Sequence, residues 1–385
     1  MDEELIPLSR PDIGAAELER VSQVLLSGRL SLGPACREFE QRLASLSGTR
    51  YAVVVSSGTA ALHLIVRALG VGRGDEIITT PYSFVASANA ALFENASPAF
   101  VDVEPASLNI DVARIEERIT PRTRAILAVD IFGIPANWPA LAEIAEKHGL
   151  ALIDDGCEAL GASVGGRPIG AWADATAFGF YPNKQITTGE GGCITTDDAQ
   201  LAAACRSMAN QGRGDRHLMH HVRLGYNYRM DEMSAALGCA QLDRLDELQS
   251  KRERVATAYA EHLEPLGDTL TVPVPRPGAT RSWFTYVVRL SDDFTAAARD
   301  DLQRFLRSRG IESSPYFPAI HLQPLYRDRG HREGDFPVAE TASARTLALP
   351  FFTQLSEDQI RRVARAVTEA VPSLPRTRKS FAQAS

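Results

Sequence analysis

Apolar residues in the first half of the chain come in short, nearly continuous runs separated by stretches with a helical repeat. Residues 51–56 (YAVVVS), 76–80 (EIITT), 98–103 (PAFVDV), 124–132 (RAILAVDIF), 151–155 (ALIDD), 175–180 (ATAFGF) and 193–196 (CITT) are short and rich in β-branched residues. Their lack of polar alternation is the pattern of strands buried on both faces. Between them, Leu62, Ile65, Val66 and Leu69 fall at i, i+3, i+4 and i+7, one face of a helix. Residues 137–148 and 198–209 have the same texture. Sustained β-α alternation predicts an α/β fold, a mostly parallel sheet sandwiched by helices.

Further on, residues 231–249 read as one long helix, with Leu237, Leu242, Leu245 and Leu248 interleaved with charges, and 250–254 continue it. From Leu263 the texture changes. Pro- and Gly-containing turns separate a strand at 285–290 from a helix at 296–309. The expected organisation is a large domain over residues 1–249, including the N-terminal segment, and a smaller α+β C-terminal domain over 250–372. Residues 373–385 are polar and basic and read as a flexible tail.

The chain has 385 residues, with 44% hydrophobic and 23% charged. That is ordinary globular composition with room for two domains. A net charge of -7 carries no electrostatic footprint for nucleic acid. The five cysteines (Cys36, Cys157, Cys193, Cys205, Cys239) form no Cys-x-x-Cys pair. They read as thiols in a reducing compartment, without a structural metal site. No apolar run reaches the length of a membrane span, and the start, Met-Asp-Glu-Glu-Leu, lacks the basic and apolar segments of a signal peptide. The expectation is a cytoplasmic protein with no membrane partner.

Ligands of an open parallel sheet bind beyond the carboxyl ends of its strands. After the first strand, Ser57-Gly58-Thr59-Ala60 opens a helix. Small residues there leave backbone amides free for an anion, or simply provide an N-cap. There is no Walker A or Gly-x-Gly-x-x-Gly pattern, which argues against a nicotinamide oxidoreductase. The strand at 151–155 ends in Asp154-Asp155-Gly156, which reads as a turn and as a carboxylate facing the cleft. The strand at 175–180 runs into Tyr181-Pro-Asn-Lys184 and a glycine-rich loop ending at Gly192. Lysine occurs only at 147, 184, 251 and 379. Lys184 alone lies in an aromatic, glycine-rich loop, where burial favours a nucleophilic amine. A lysine, a strand-end aspartate and an anion cradle together specify pyridoxal 5'-phosphate.

These segments resemble the fold-type I, pyridoxal-phosphate-dependent sugar aminotransferases of the DegT/DnrJ/EryC1/StrS family. The resemblance runs through Ser27-Gly-Arg-Leu-Ser-Leu-Gly33, Ser57-Gly-Thr-Ala-Ala-Leu-His63, Thr80-Pro-Tyr-Ser-Phe84 and Asp155-Gly-Cys-Glu158. It continues in Phe180-Tyr-Pro-Asn-Lys184, Gly189-Glu-Gly-Gly192, Gly225-Tyr-Asn227-Tyr-Arg229 and Tyr316-Phe-Pro-Ala-Ile-His321. It implies that Lys184 is the Schiff-base lysine and Asp155 the partner of the pyridine nitrogen. Phe84 would stack on the ring, and Gly58, Thr59 and Ala60 would form the phosphate loop. Glu158 falls where many members carry Gln, near the ring. Asn227 would reach the phosphate of the neighbouring subunit, so the site is built across a homodimer. Tyr316, His321 and Arg229 are candidate substrate contacts; a structural histidine and a structural ion pair are the competing readings for the last two. Two departures stand out: Gly179 replaces a phosphate-binding Ser, and Asp154 replaces a frequent Glu.

The activity so implied is transfer of the amino group of L-glutamate to a nucleotide-linked keto sugar. The motifs look most like enzymes acting at C4 of 4-keto-6-deoxyhexoses, the GDP-perosamine synthases among them. The alternatives are a C3 keto-sugar or keto-cyclitol aminotransferase and a non-catalytic regulator on the same fold.

Overall fold

The seven apolar runs become one sheet in the computed structural model, which describes residues 4–214 and 219–377. The strands are β1 (Tyr51–Val55), β2 (Glu76–Thr79), β3 (Ser97–Phe100), β4 (Thr123–Val129), β5 (Ala151–Asp155), β6 (Ala175–Gly179) and β7 (Gly192–Thr196). Their order is β1-β7-β6-β5-β4-β2-β3. Pairings among β3, β2, β4, β5 and β6 are parallel, while β7 runs antiparallel to both β1 and β6. The strand β1 shows why its run is apolar throughout. Val53 and Val55 enter a core built with α3 (Gly58–Ala68) and α6 (Ala199–Ala209), and Ala52 and Val54 enter a second core on the opposite face.

That second core lies under α2 (Pro34–Ser47), α5 (Trp138–His148) and α7 (Glu232–Asp243). Several helices escaped the periodicity reading, among them α1 (Ala15–Ser27), whose leucines face outward, α2, the Ala-rich α4 (Ala86–Phe93), and the C-terminal helices Pro337–Arg345 and Glu357–Ala370. The single helix expected over 231–254 is two. It breaks at Arg244 (φ -113°, ψ 10°) between α7 and α8 (Leu245–Leu263). There the Arg244 guanidinium holds Asp12 at 3.0 Å and Glu17 at 2.8 Å.

The C-terminal unit has a three-stranded antiparallel sheet (Leu270–Thr271, Tyr286–Leu290, Thr346–Leu349) packed by α8, α9 (Ala297–Ser308) and the helix Glu357–Ala370. The segmentation expected from sequence shifts in three places. Leu245 and Leu248 of α8 pack in the large-domain core, and Val255 and Tyr259 pack in the small-domain core, so α8 spans the expected boundary. Ile6 is fully enclosed in the C-terminal core and bridges Ile311, so the chain around Ile6 packs on the C-terminal unit, while α2 of the same expected domain packs in the large-domain core. Residues 373–377, expected to fray, are tied down: Thr295 donates its amide to the Pro375 carbonyl, and Thr377 donates to Asp293. The rest of the expected tail, with Lys379, lies outside the described residues. No described helix is long and apolar enough to cross a membrane.

Candidate active site

The carboxyl ends of β1, β5 and β6 open onto one cavity of about 460 Å³, within the usual size of a small-molecule pocket. Gly58, Thr59, Phe84, Asp155, Glu158 and Lys184 line it together, though they are drawn from four separate segments.

The chain leaves β1 and enters α3 through Ser57, whose hydroxyl caps the helix by accepting the Ala60 amide at 3.0 Å. The Ala60 amide is therefore taken up by the Ser57 cap, and Ala60 is buried and not part of the cavity wall. Helix geometry leaves the amides of Gly58 and Thr59 without an intrahelical carbonyl, and the helix dipole favours an anion in front of them. A Cβ on Gly58 would stand 2.6 Å from the Cys157 sulfur, and one on Gly192 would stand 2.4 Å from the Ser57 backbone. At Gly179 a Cβ would stand 3.4 Å from the same sulfur, an ordinary contact, so the thiol borders this position without excluding a side chain from it. The thiol thus fills the space between Gly58 and Gly179. Burial pushes that thiol well above its ordinary range, so it is neutral.

Asp155 ends β5, 6% exposed, with its carboxylate in the cavity. Ser87 of α4 donates to its Oδ2 at 2.6 Å, and the Cys157 amide donates to Oδ1 at 3.3 Å. Strand alternation sends Asp154 to the other face, where Thr176 donates to it at 3.1 Å. Burial, then the charges of Asp130 and Asp155, push the Asp154 carboxyl well above the usual range. Phe84 stands over the cavity with 59% of its surface exposed.

Lys184 follows β6 in a loop whose backbone is pinned. Its amide donates to Tyr181, and its carbonyl accepts from the Arg252 guanidinium at 2.6 Å. Its side chain is 15% exposed, with Nζ 4.0 Å from the Phe284 ring centroid and 3.6 Å from Glu158 Oε1. Burial pushes the Glu158 carboxyl up, and the Lys184 charge offsets only part of that, leaving it above its ordinary value.

Tyr316 reaches the cavity from the C-terminal unit, 3.5 Å from Asn183 Nδ2. His321 does not. It is fully enclosed, with Nε2 2.9 Å from Glu340, which corrects its expected place among the sugar contacts. Arg229 is also outside the cavity lining; its guanidinium donates to the Asn210 side chain at 3.0 Å. Asn227 pairs through its backbone with Asn210, is exposed, and is not among the residues that line the cavity of its own chain. Ser87, Asn183, Phe284 and Arg252 were not singled out from sequence. Asn183 adjoins Lys184 and was within reach of a motif reading, whereas Phe284 and Arg252 have no sequence relation to the residues they touch.

The cavity fits pyridoxal 5'-phosphate. It offers an enclosed amine, a strand-end carboxylate held by a hydroxyl, an exposed aromatic face and an anion cradle that a Cβ at Gly58 would fill. The model of the DegT/DnrJ/EryC1/StrS aminotransferase family matches residues 11–368. The chain is 38% identical over 341 residues to GDP-perosamine synthase of Caulobacter vibrioides, covering 89% of this chain and 91% of that protein. It is 37% identical over 352 residues to UDP-N-acetyl-3-dehydro-alpha-D-glucosamine 3-aminotransferase of Acidithiobacillus ferrooxidans, covering 91% and 92%. The fold superposes on S. venezuelae DesV, solved in complex with a ketimine intermediate, with TM-score 0.89 and 36% identity over 96% of this chain and 99% of that one. The chain belongs to the DegT/DnrJ/EryC1/StrS aminotransferase family and is a pyridoxal-phosphate-dependent sugar aminotransferase.

Proposed function

We propose that the enzyme carries the amino group of L-glutamate to C4 of a nucleotide-linked 4-keto-6-deoxyhexose, as a cytoplasmic homodimer whose site is shared between subunits. The observation that carries the transfer chemistry is the convergence of Lys184, Asp155 and the α3 N-terminus on one cavity. Pyridoxal 5'-phosphate, when bound, supplies the electron sink that lets a substrate carbon lose its proton. The chain supplies the rest. The amides of Gly58 and Thr59 hold the phosphate, and Phe84 covers one ring face. Asp155, oriented by Ser87, keeps a ring nitrogen protonated. Lys184 would be the general base and acid of the transfer, taking up and giving back a proton at Nζ beside the substrate carbon in each half of the reaction. Phe284 and Tyr316 wall the amine from water.

The C4 assignment leans on the likeness to the perosamine synthase. The nearly equal likeness to the 3-aminotransferase supports a second reading, amination at C3. Support for the shared site comes from Asn227, exposed and unused by its own cavity, and from Leu25 and Leu26 of α1, exposed at 53% and 88%. The test is turnover of ¹⁵N-labelled L-glutamate with nucleotide-linked 4-keto and 3-keto sugars, a keto-cyclitol serving as control. Label at C4 is the expected outcome. Label at C3 or on the cyclitol would replace the C4 reading, and no labelled product would overturn the proposal.

A further inference from the structure

An amine and a carboxyl meet inside the cavity, and each is held in place by groups from separate segments. Glu158 follows β5 and is 5% exposed. Its Oε2 accepts the Phe132 amide at 2.8 Å, which leaves Oε1 3.6 Å from Nζ of Lys184. Phe132 sits in the left-handed region (φ 55°), and the next residue, Gly133, does too (φ 77°). Gly133 is required there, because a Cβ would stand 1.7 Å from the Ser282 carbonyl oxygen. This turn is what aims the Phe132 amide at the Glu158 carboxylate. On the other side, the Glu158 carbonyl accepts from the side chain of Gln185 at 2.6 Å, and Gln185 is the residue after Lys184. Arg252 holds the Lys184 carbonyl, and the Phe284 ring lies against the amine. An enclosed pair held this way is weakly screened by solvent.

We propose that Glu158 is the counter-ion of Lys184: its carboxylate retains the proton on the lysine nitrogen and so sets the pH at which that nitrogen releases it. The proposal rests on Lys184 being the cofactor-bearing lysine. Other groups face the pair. Asp155 comes from β5, Cys157 from the same turn, Tyr316 from the C-terminal unit, and Arg281 from the segment before Phe284. Burial raises Cys157 well above its ordinary value and Tyr316 to about 12, so both are neutral near pH 7. Burial lowers Arg281 only to about 9, so it stays cationic. Asp155 is committed to Ser87 and the Cys157 amide. Among the described residues, Glu158 is the carboxylate recorded in an ion pair with Lys184.

The experiment is a pH titration of the visible absorption of the holoenzyme, which changes as the nitrogen joined to the cofactor loses its proton. Glu158→Gln keeps an acceptor for the Phe132 amide and removes the charge. Its midpoint should fall by about one to three pH units. Glu158→Asp, with the charge drawn back by one methylene, should fall between wild type and the Gln variant. A purely structural role would cost cofactor retention or activity in both variants and leave the midpoints in place. Midpoints within a few tenths of a unit of wild type would overturn the counter-ion. If the Gln variant fails to hold cofactor, an unmoved midpoint in the Asp variant overturns it equally. Absence of a visible band in wild-type protein saturated with pyridoxal phosphate would overturn the lysine assignment itself, and the ion pair's role with it.

Discussion

The hydroxyl of Ser87 stands 2.6 Å from Oδ2 of Asp155 and donates to it from the second residue of α4. The contact ties the carboxylate to a helix instead of a loop. A hydrogen bond to a charged group is worth about 2 kcal/mol, or about thirtyfold in a rate it controls. Ser87→Ala should lower kcat by tens of fold while circular dichroism stays unchanged. A kcat within twofold of wild type would show that Asp155 needs no such support.

Gly58, Cys157 and Gly179 share one small space. Gly58→Ala puts a methyl 2.6 Å from the Cys157 sulfur and should weaken pyridoxal phosphate binding at least tenfold, read by equilibrium titration of the apoenzyme. Cys157→Ala added to it removes the clash and should recover most of that loss. Additive losses in the double variant would mean that the two side chains do not meet.

Asp154 on β5 and Asp130 just past the end of β4 are fully enclosed carboxyls, and each has one buried oxygen without a partner. Burial pushes Asp154 well above the usual carboxylate range and Asp130 up to about 7. In the folded protein they hold protons that the unfolded chain releases from about pH 4. Their contribution to stability is therefore full below that pH and is lost as pH rises through the folded values, by up to about 1.4 kcal/mol per unit for each group. Asp154→Asn should make the fall in urea midpoint between about pH 5 and pH 8 shallower than in wild type. Parallel slopes would contradict the assignment.

The sheet was legible because its inner strands are buried on both faces, so their apolar runs are nearly unbroken; only the edge strand β3 is mostly half-exposed. Lys184 and Asp155 were legible because scarcity and strand-end position single them out. The break at Arg244 was not, since an arginine in a charged helical stretch looks continuous until Asp12 and Glu17 arrive from the N-terminus. Ile6 was assigned to the large domain for the same reason: its partners lie some three hundred residues away. Phe284 and Arg252 reach Lys184 only through tertiary packing, which no local spacing encodes. His321 follows Tyr316 within one motif, but the chain turns after Tyr316 and buries the imidazole against Glu340.

That burial gives a separate expectation for His321. His321→Ala removes the group paired with Glu340 at 2.9 Å and leaves that partly buried carboxylate to its backbone donors. The melting temperature should drop by several degrees, as expected for a lost buried hydrogen bond. The KM for the keto sugar should stay within twofold of wild type. A tenfold rise in KM with unchanged melting would return His321 to the substrate site.

The most direct test of the transfer chemistry is the visible spectrum of the purified protein loaded with pyridoxal phosphate, recorded before and after L-glutamate alone is added. The expected result is a visible band that glutamate bleaches, with neither the band's protein-bound form nor the bleaching seen in Lys184→Ala. A wild-type band untouched by glutamate would contradict the donor assignment. A protein that stays colourless after pyridoxal phosphate is added would contradict the role given to Lys184.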